Sequence, residues 1–165
     1  MSIQTAIALI DDLARRPVYV GTTYATTSTT VTIERKGYVE IRAAGAGSAN
    51  RGWQGNTAYG AGGAGGYKRL PVQAGQQIHI VIAAVGGVTT VSSGGWTGSI
   101  PSNGYAPSPR DTNNGPVSAD QLTGWDSAVG GARGDTALGH RPWEQVLGGA
   151  GNSPGGVAIS IFEHA

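Results

Sequence analysis

The chain has 165 residues, of which 29 are glycine and 13% are charged, with a net charge of +1 and no cysteine. Near-balanced charge argues against a protein held to nucleic acid or to a membrane surface, because phosphate contacts need a surplus of Lys and Arg. The lack of cysteine excludes disulfide scaffolds, Cys-ligated zinc and thiol catalysis, and glycine does not recur at every third position as collagen requires.

Residues 2–14 predict a short amphipathic helix. Ile3, Ala6, Ile7, Ile10, Leu13 and Ala14 share one stripe, Ser2 is placed to cap it and Pro17 to stop it. Ile3, Ile7, Ile10 and Leu13 are the candidate attachment or self-association residues, and packing on the chain's own domain is the alternative. The segment does not read as a signal peptide: Asp11 and Asp12 interrupt it, and no cationic stretch precedes it. No apolar run approaches the roughly 18–20 residues of a membrane-spanning helix. The expected division is a helix over 1–17 and a glycine-rich β domain over 18–165.

A threonine-rich run at 22–30 follows, read as an edge strand or an extended connector. Four segments then alternate with period two. Val31 and Ile33 share a face in 31–34; Val39, Ile41 and Ala43 in 38–43; Ile78, Ile80 and Ile82 in 76–82; Val157, Ile159 and Ile161 in 157–163. Arg35-Lys36-Gly37 reads as a hairpin turn in which Gly37 takes a positive φ. A second turn is read across Pro71–Gly75.

Between these strands lie two glycine-rich stretches. Residues 45–66 hold nine glycines. Residues 84–155 show neither helical nor strand periodicity, yet carry Trp96, Tyr105, Trp125 and Trp143. That aromatic content and low charge speak against disorder. An ordered alternative is a stack of extended polyproline-II-type chains. These approach closely where Cβ atoms are missing and bond one another laterally.

The sequence Tyr38-Val39-Glu40-Ile41-Arg42-Ala43-Ala44-Gly45-Ala46-Gly47 leads into a glycine tract ending Gly60-Ala61-Gly62-Gly63-Ala64-Gly65-Gly66-Tyr67. Leu70–Ile82 follows, and the chain closes with Gly148-Gly149-Ala150-Gly151 and Pro154-Gly155-Gly156-Val157-Ala158-Ile159-Ser160-Ile161. Over residues 31–165 this order resembles the glycine-rich domain of bacteriophage tail-fibre and receptor-binding proteins, the distal adhesins. The resemblance implies polyglycine-II layers whose loops contact the host surface. The tract Ala83–Val88 and the stretch 100–128 hold less glycine than that pattern, which leaves open a small stack or ordinary loops on a β-sandwich.

Chemistry-bearing motifs are sparse. Gly60–Gly65 satisfies G-x-G-x-x-G, but no strand precedes it and no helix follows, so a dinucleotide site is not expected. Arg133-Gly134-Asp135 lies among glycines and reads as turn geometry. His79, His140 and His164 lack metal-ligand spacing. Asp111, Asp120, Asp126, Asp135 and Glu144 lie in the loop-rich half, where two carboxylates could meet at glycosidase spacing or simply cap turns.

The aromatics Trp53, Tyr59, Trp96, Tyr105, Trp125 and Trp143 are the receptor-binding candidates, because sugar rings lie on aromatic faces. Sealing of a layered glycine structure is the competing role. Arg110 and Arg141, with Arg133 and His140, would add polar contacts to an anionic glycan.

The expected fold is thus a small all-β, glycine-rich sandwich, with or without polyglycine-II layers, behind a short N-terminal helix. The expected function is non-enzymatic: a virion protein of a phage tail fibre or baseplate, touching the host envelope through surface loops. The alternative is a structural virion module, a capsid decoration or fibre-joining protein, with a glycan depolymerase third. The resemblance implies other virion proteins and a host glycan or outer-membrane component as partners, and a homo-oligomer, with a trimer suggested. No cofactor, metal or nucleic acid is expected.

Overall fold

The computed structural model describes residues 2–7, 16–47, 63–84, 86–102, 120, 122–130 and 155–164, together with the backbone of 51–53 and 56–58. Among these, the strands are β1 (Val18–Ala25), β2 (Thr29–Thr32), β3 (Gly37–Ala44), β4 (Arg51–Trp53), β5 (Asn56–Ala58) and β6 (Gly65–Val72). They continue with β7 (Gln77–Val81), β8 (Val88–Ser93), β9 (Trp96–Pro101), β10 (Ser127–Val129) and β11 (Gly156–Glu163). Residues 3–7 are helical.

The strands form a five-stranded sheet in the order β1-β11-β3-β6-β10 and a four-stranded sheet in the order β2-β7-β8-β9. β4 and β5 make a separate two-stranded hairpin. Pairing is antiparallel throughout. The chain is all-β, and the two larger sheets share one core. Ile33, Val39, Ile41, Ile78, Ile80, Val157 and Ile159 are buried in it, with Val31, Ile82 and Ile161 packed at its margin. These are the ten β-branched residues that the period-two alternation assigns to one face. Val91 and Ile100, from β8 and β9, complete the layer.

Four sequence expectations are corrected. Segments 31–34 and 38–43 do not form a hairpin, because β2 and β3 belong to different sheets. The Ile33 amide donates to the Gln76 carbonyl and the Ile33 carbonyl accepts from the Gly75 amide, so the chain stays with β7 through Ile33 and then crosses to the other sheet. Gly37 has no positive φ. It is the first residue of β3, paired with Glu163, and a Cβ there would overlap the Phe162 carbonyl. The stretch 84–155, read as lacking strand periodicity, contains β8, β9 and β10. The turn read over Pro71–Gly75 begins later, since Pro71 and Val72 end β6. Pro71 is tolerated because β10 pairs only with Gly65–Tyr67, leaving that edge of β6 open at Pro71.

The threonine-rich run is an edge strand at each end: β1 borders the five-stranded sheet and β2 the four-stranded one. At the N-terminus Ser2 caps as expected, its Oγ accepting from the Thr5 amide at 3.2 Å. Ile3 and Ile7 are exposed to solvent. Ile10 and Leu13 lie outside the described residues, as do most of the tracts in which polyglycine-II layers are expected.

The β8–β9 hairpin turns on two residues, Gly94 and Gly95, with φ of 56° and 84°. Positive φ at both central positions is the turn whose twist matches the flanking strands. A Cβ at Gly95 would meet nothing within 4 Å, so a substitution there isolates the backbone penalty. Gly95→Ala is expected to lower unfolding stability by about 1–2 kcal/mol, and Gly95→Asn by less. Denaturant titration of the three proteins checks this; equal stabilities would contradict it.

Candidate ligand-binding face

The segment 122–129 returns across the open end of the sandwich and fastens both sheets. Leu122 is buried in the core. The Trp125 ring lies over Gly66 of β6 and Gly98 of β9, where a Cβ at either position would overlap it. Trp96 meets Trp125 edge-on, with centroids 5.4 Å apart and an interplanar angle of 87°. Each indole N–H is satisfied: Trp96 Nε1 donates to the Gly124 carbonyl at 2.6 Å and Trp125 Nε1 to the Ser99 carbonyl at 3.2 Å. Both indoles pack between the sheets, as sealing requires. They join the sheets where paired glycines leave room for a ring.

Asp126 completes the fastening. Its carboxylate accepts from the Arg69 amide at 2.9 Å and from Lys68 Nζ at 2.5 Å. These bonds, the backbone one foremost, hold its pKa below the usual carboxylate range. Asp126 therefore acts as a strand-end anchor. β10 follows directly and pairs with the start of β6.

Outside the core, the five-stranded sheet presents a second surface set by its register. Tyr19 of β1 stands opposite Phe162 of β11, which stands opposite Tyr38 of β3, which stands opposite Pro71 of β6. Tyr38 and Phe162 stack with centroids 4.5 Å apart and planes 9° apart, and Tyr19 tilts against Phe162 at 5.4 Å. The Arg69 guanidinium lies 3.8 Å from the Tyr38 ring centroid, within cation–π range. In the next row Thr22, Ser160, Glu40 and Arg69 are aligned across the four strands. Thr22 shares hydrogen bonds with Tyr19 at 2.9 Å and with Ser160 at 2.8 Å.

A third row runs Tyr24, Ala158, Arg42, Tyr67 and Ser127. Arg42 donates to Glu40 at 3.4 Å and lies 5.6 Å from the Tyr67 ring centroid. Burial, together with the charge of Glu40 and its hydrogen bond, pushes the Tyr67 hydroxyl above its ordinary pKa. Where this face meets β10, a pocket of about 160 Å³ opens, lined by Arg42, Gly65, Gly66, Tyr67, Ser127 and Val129.

Most of the sequence-predicted site falls elsewhere. Tyr59, Tyr105, Arg110, Arg141 and Trp143 lie outside the described residues, and Trp53 is described only as backbone in β4. Asp111, Asp135 and Glu144 are likewise outside them. His79 sits on the exposed side of β7, as its alternation with isoleucines predicts, within 3.1 Å of the Thr30 hydroxyl. Among the described residues, no group of three or more His, Cys, Asp or Glu is arranged to hold a metal ion.

Sequence reasoning missed Tyr19, Tyr24, Tyr38, Tyr67, Phe162, Arg42 and Arg69 as a set. In β3, β6 and β11 the available signal was parity, since these residues alternate with inward-facing ones; in β1 a bulge between Tyr19 and Gly21 breaks it. No protein-family model, curated protein or solved structure matches the chain.

Trp125→Ala is expected to lower stability by about 3 kcal/mol. Gly66→Ala should destabilise the parent protein but lose most of its effect in the Trp125→Ala background, because the overlap is with that ring. Denaturant unfolding of the double-mutant cycle checks both; additive effects would contradict the packing assigned to Trp125. Asp126→Asn tests the anchor. Because the folded pKa of Asp126 is depressed, its stabilisation is present above about pH 4 and is lost as pH falls through the folded value. The stability gap between parent and Asp126→Asn should therefore be open at pH 7 and close at acid pH. A pH-independent gap would contradict the assignment.

Proposed function

We propose that the chain is a non-enzymatic binding module of a phage tail fibre or baseplate, and that it contacts saccharides of the host envelope. The observation that carries the binding part is the ordered outer row Tyr19–Phe162–Tyr38, capped by Arg69. Rings fixed by stacking offer the exposed Tyr19 ring and the apolar edges of Tyr38 and Phe162 at low entropic cost, and flanking Arg and Glu supply directional polar contacts. This moves the expected contact from loops to a sheet face. The virion placement rests on the glycine-tract pattern of residues 31–165.

A structural virion module is the second reading. It is favoured by exposed Val18, Tyr19, Val20 and Tyr24 on edge strand β1, together with exposed Ile3 and Ile7. Uncovered apolar side chains on an open edge are a template for pairing with another chain.

Two measurements separate these readings. Purified protein on an array of bacterial surface saccharides should bind a defined subset, and Tyr38→Ala or Phe162→Ala should weaken that binding by about tenfold or more. Absence of binding to any saccharide would contradict the reading. Immunogold labelling of intact particles should place the chain at the fibre tips or baseplate; labelling of the capsid would favour the structural module.

A further inference from the structure

The pocket at the β3–β6–β10 end of the outer face has features that the aromatic row lacks. Gly65 and Gly66 line it with backbone alone, the core side of Gly66 being occupied by the Trp125 ring. Tyr67 and Val129 supply its apolar walls, and Ser127 and Arg42 its polar groups. At about 160 Å³ it is smaller than the roughly 300–1,000 Å³ of pockets that take drug-sized ligands, so it has room for one ring and its substituents.

Among the described residues, Glu40 lies opposite Arg69 and two positions from Arg42 on its own strand, so two guanidinium groups share it, while Asp126 is engaged by Lys68. Arg42 uses one terminal nitrogen on Glu40 at 3.4 Å while its side chain stays 50% exposed. A guanidinium carries five donors in a planar fork, which suits a carboxylate.

We propose that this pocket is a subsite for a single acidic sugar ring, laid against the Gly65–Gly66 backbone and Tyr67, with its carboxylate met by the Arg42 guanidinium and a ring hydroxyl by Ser127. The inference rests on the saccharide-binding reading and narrows it to acidic sugars. The glycine backbone and the tyrosine ring match the apolar face of a pyranose. The Arg42 donors not used on Glu40 favour a carboxylate over a neutral group on a sugar of the same shape.

Calorimetric titration of the full chain with tetragalacturonate, its methyl ester and sialyllactose tests it. At least one of the two acids should bind. If it is the galacturonate, the methyl ester, which keeps the rings and removes the charge, should bind about tenfold more weakly or worse. Arg42→Gln should lose the preference for acid. Val129→Phe should fill the pocket and abolish acid binding; Val129 is 41% exposed, so the fold tolerates the larger side chain. Equal binding of acid and ester, or unchanged acid binding by Val129→Phe, would overturn the inference. Neutral saccharides bound through Tyr38 and Phe162, with neither acid bound, would overturn it while leaving the saccharide-binding reading intact. Binding of no saccharide at all would overturn both.

Discussion

The fit of one indole between two glycines organises this molecule. β6 and β9 belong to different sheets, and each presents a glycine, Gly66 and Gly98, where the Trp125 ring lies. A methyl group at either site would displace the ring. Aliphatic layering alone holds the sandwich together where Ile41, Ile78, Ile80 and Ile159 meet, but those residues do not fix what closes its end. Trp125 does so, braced edge-on by Trp96 and bonded to the Ser99 carbonyl. The penalty of placing glycine in strands, about 0.5–1 kcal/mol each, is offset by the ring area those glycines admit.

The pocket depends on that closure. Asp126 follows Trp125 in sequence and bonds to the Arg69 amide and to Lys68, and β10 follows Asp126 and pairs with Gly65–Tyr67. The pocket walls formed by Ser127 and Val129 therefore exist because the same short segment seals the sandwich. The aromatic row is a separate product of register. β11 pairs with β1 on one side and β3 on the other, bringing residues from the two ends of the chain into one line. Tyr38 and Phe162 stack across 124 positions of sequence because their strands pair Gly37 with Glu163.

This explains which parts were legible in the sequence. The core was legible, because alternation in four short segments marks buried faces whatever the pairing, and the ten β-branched residues it marks are those found in the core. The pairing was not. Alternation fits β2 and β3 equally well as a hairpin or as neighbours in opposite sheets, and a backbone bond at Ile33 decides between them. The β8–β9 hairpin carried a readable signal, Gly94-Gly95 between Val88–Ser93 and Trp96–Pro101, that the surrounding glycine obscured. Attention to aromatics in glycine-rich segments identified Trp96 and Trp125 but not the outer face. Tyr19, Tyr38 and Phe162 stand far apart in sequence, and nothing local marks them as neighbours. The same holds for Gly65 and Gly66. In sequence they read as part of a low-complexity tract, and in the fold they line a pocket.

Residues 122–129 are a single fastening that both closes the sandwich and builds the pocket wall. Amide hydrogen exchange on the Trp125→Ala protein tests it most directly. The account predicts loss of protection at the amides that join β10 to Gly65–Tyr67, with protection retained at the centre of β3 and β11, where pairing does not involve this segment. Retained protection at β10, or uniform loss across β3 and β11, would contradict it.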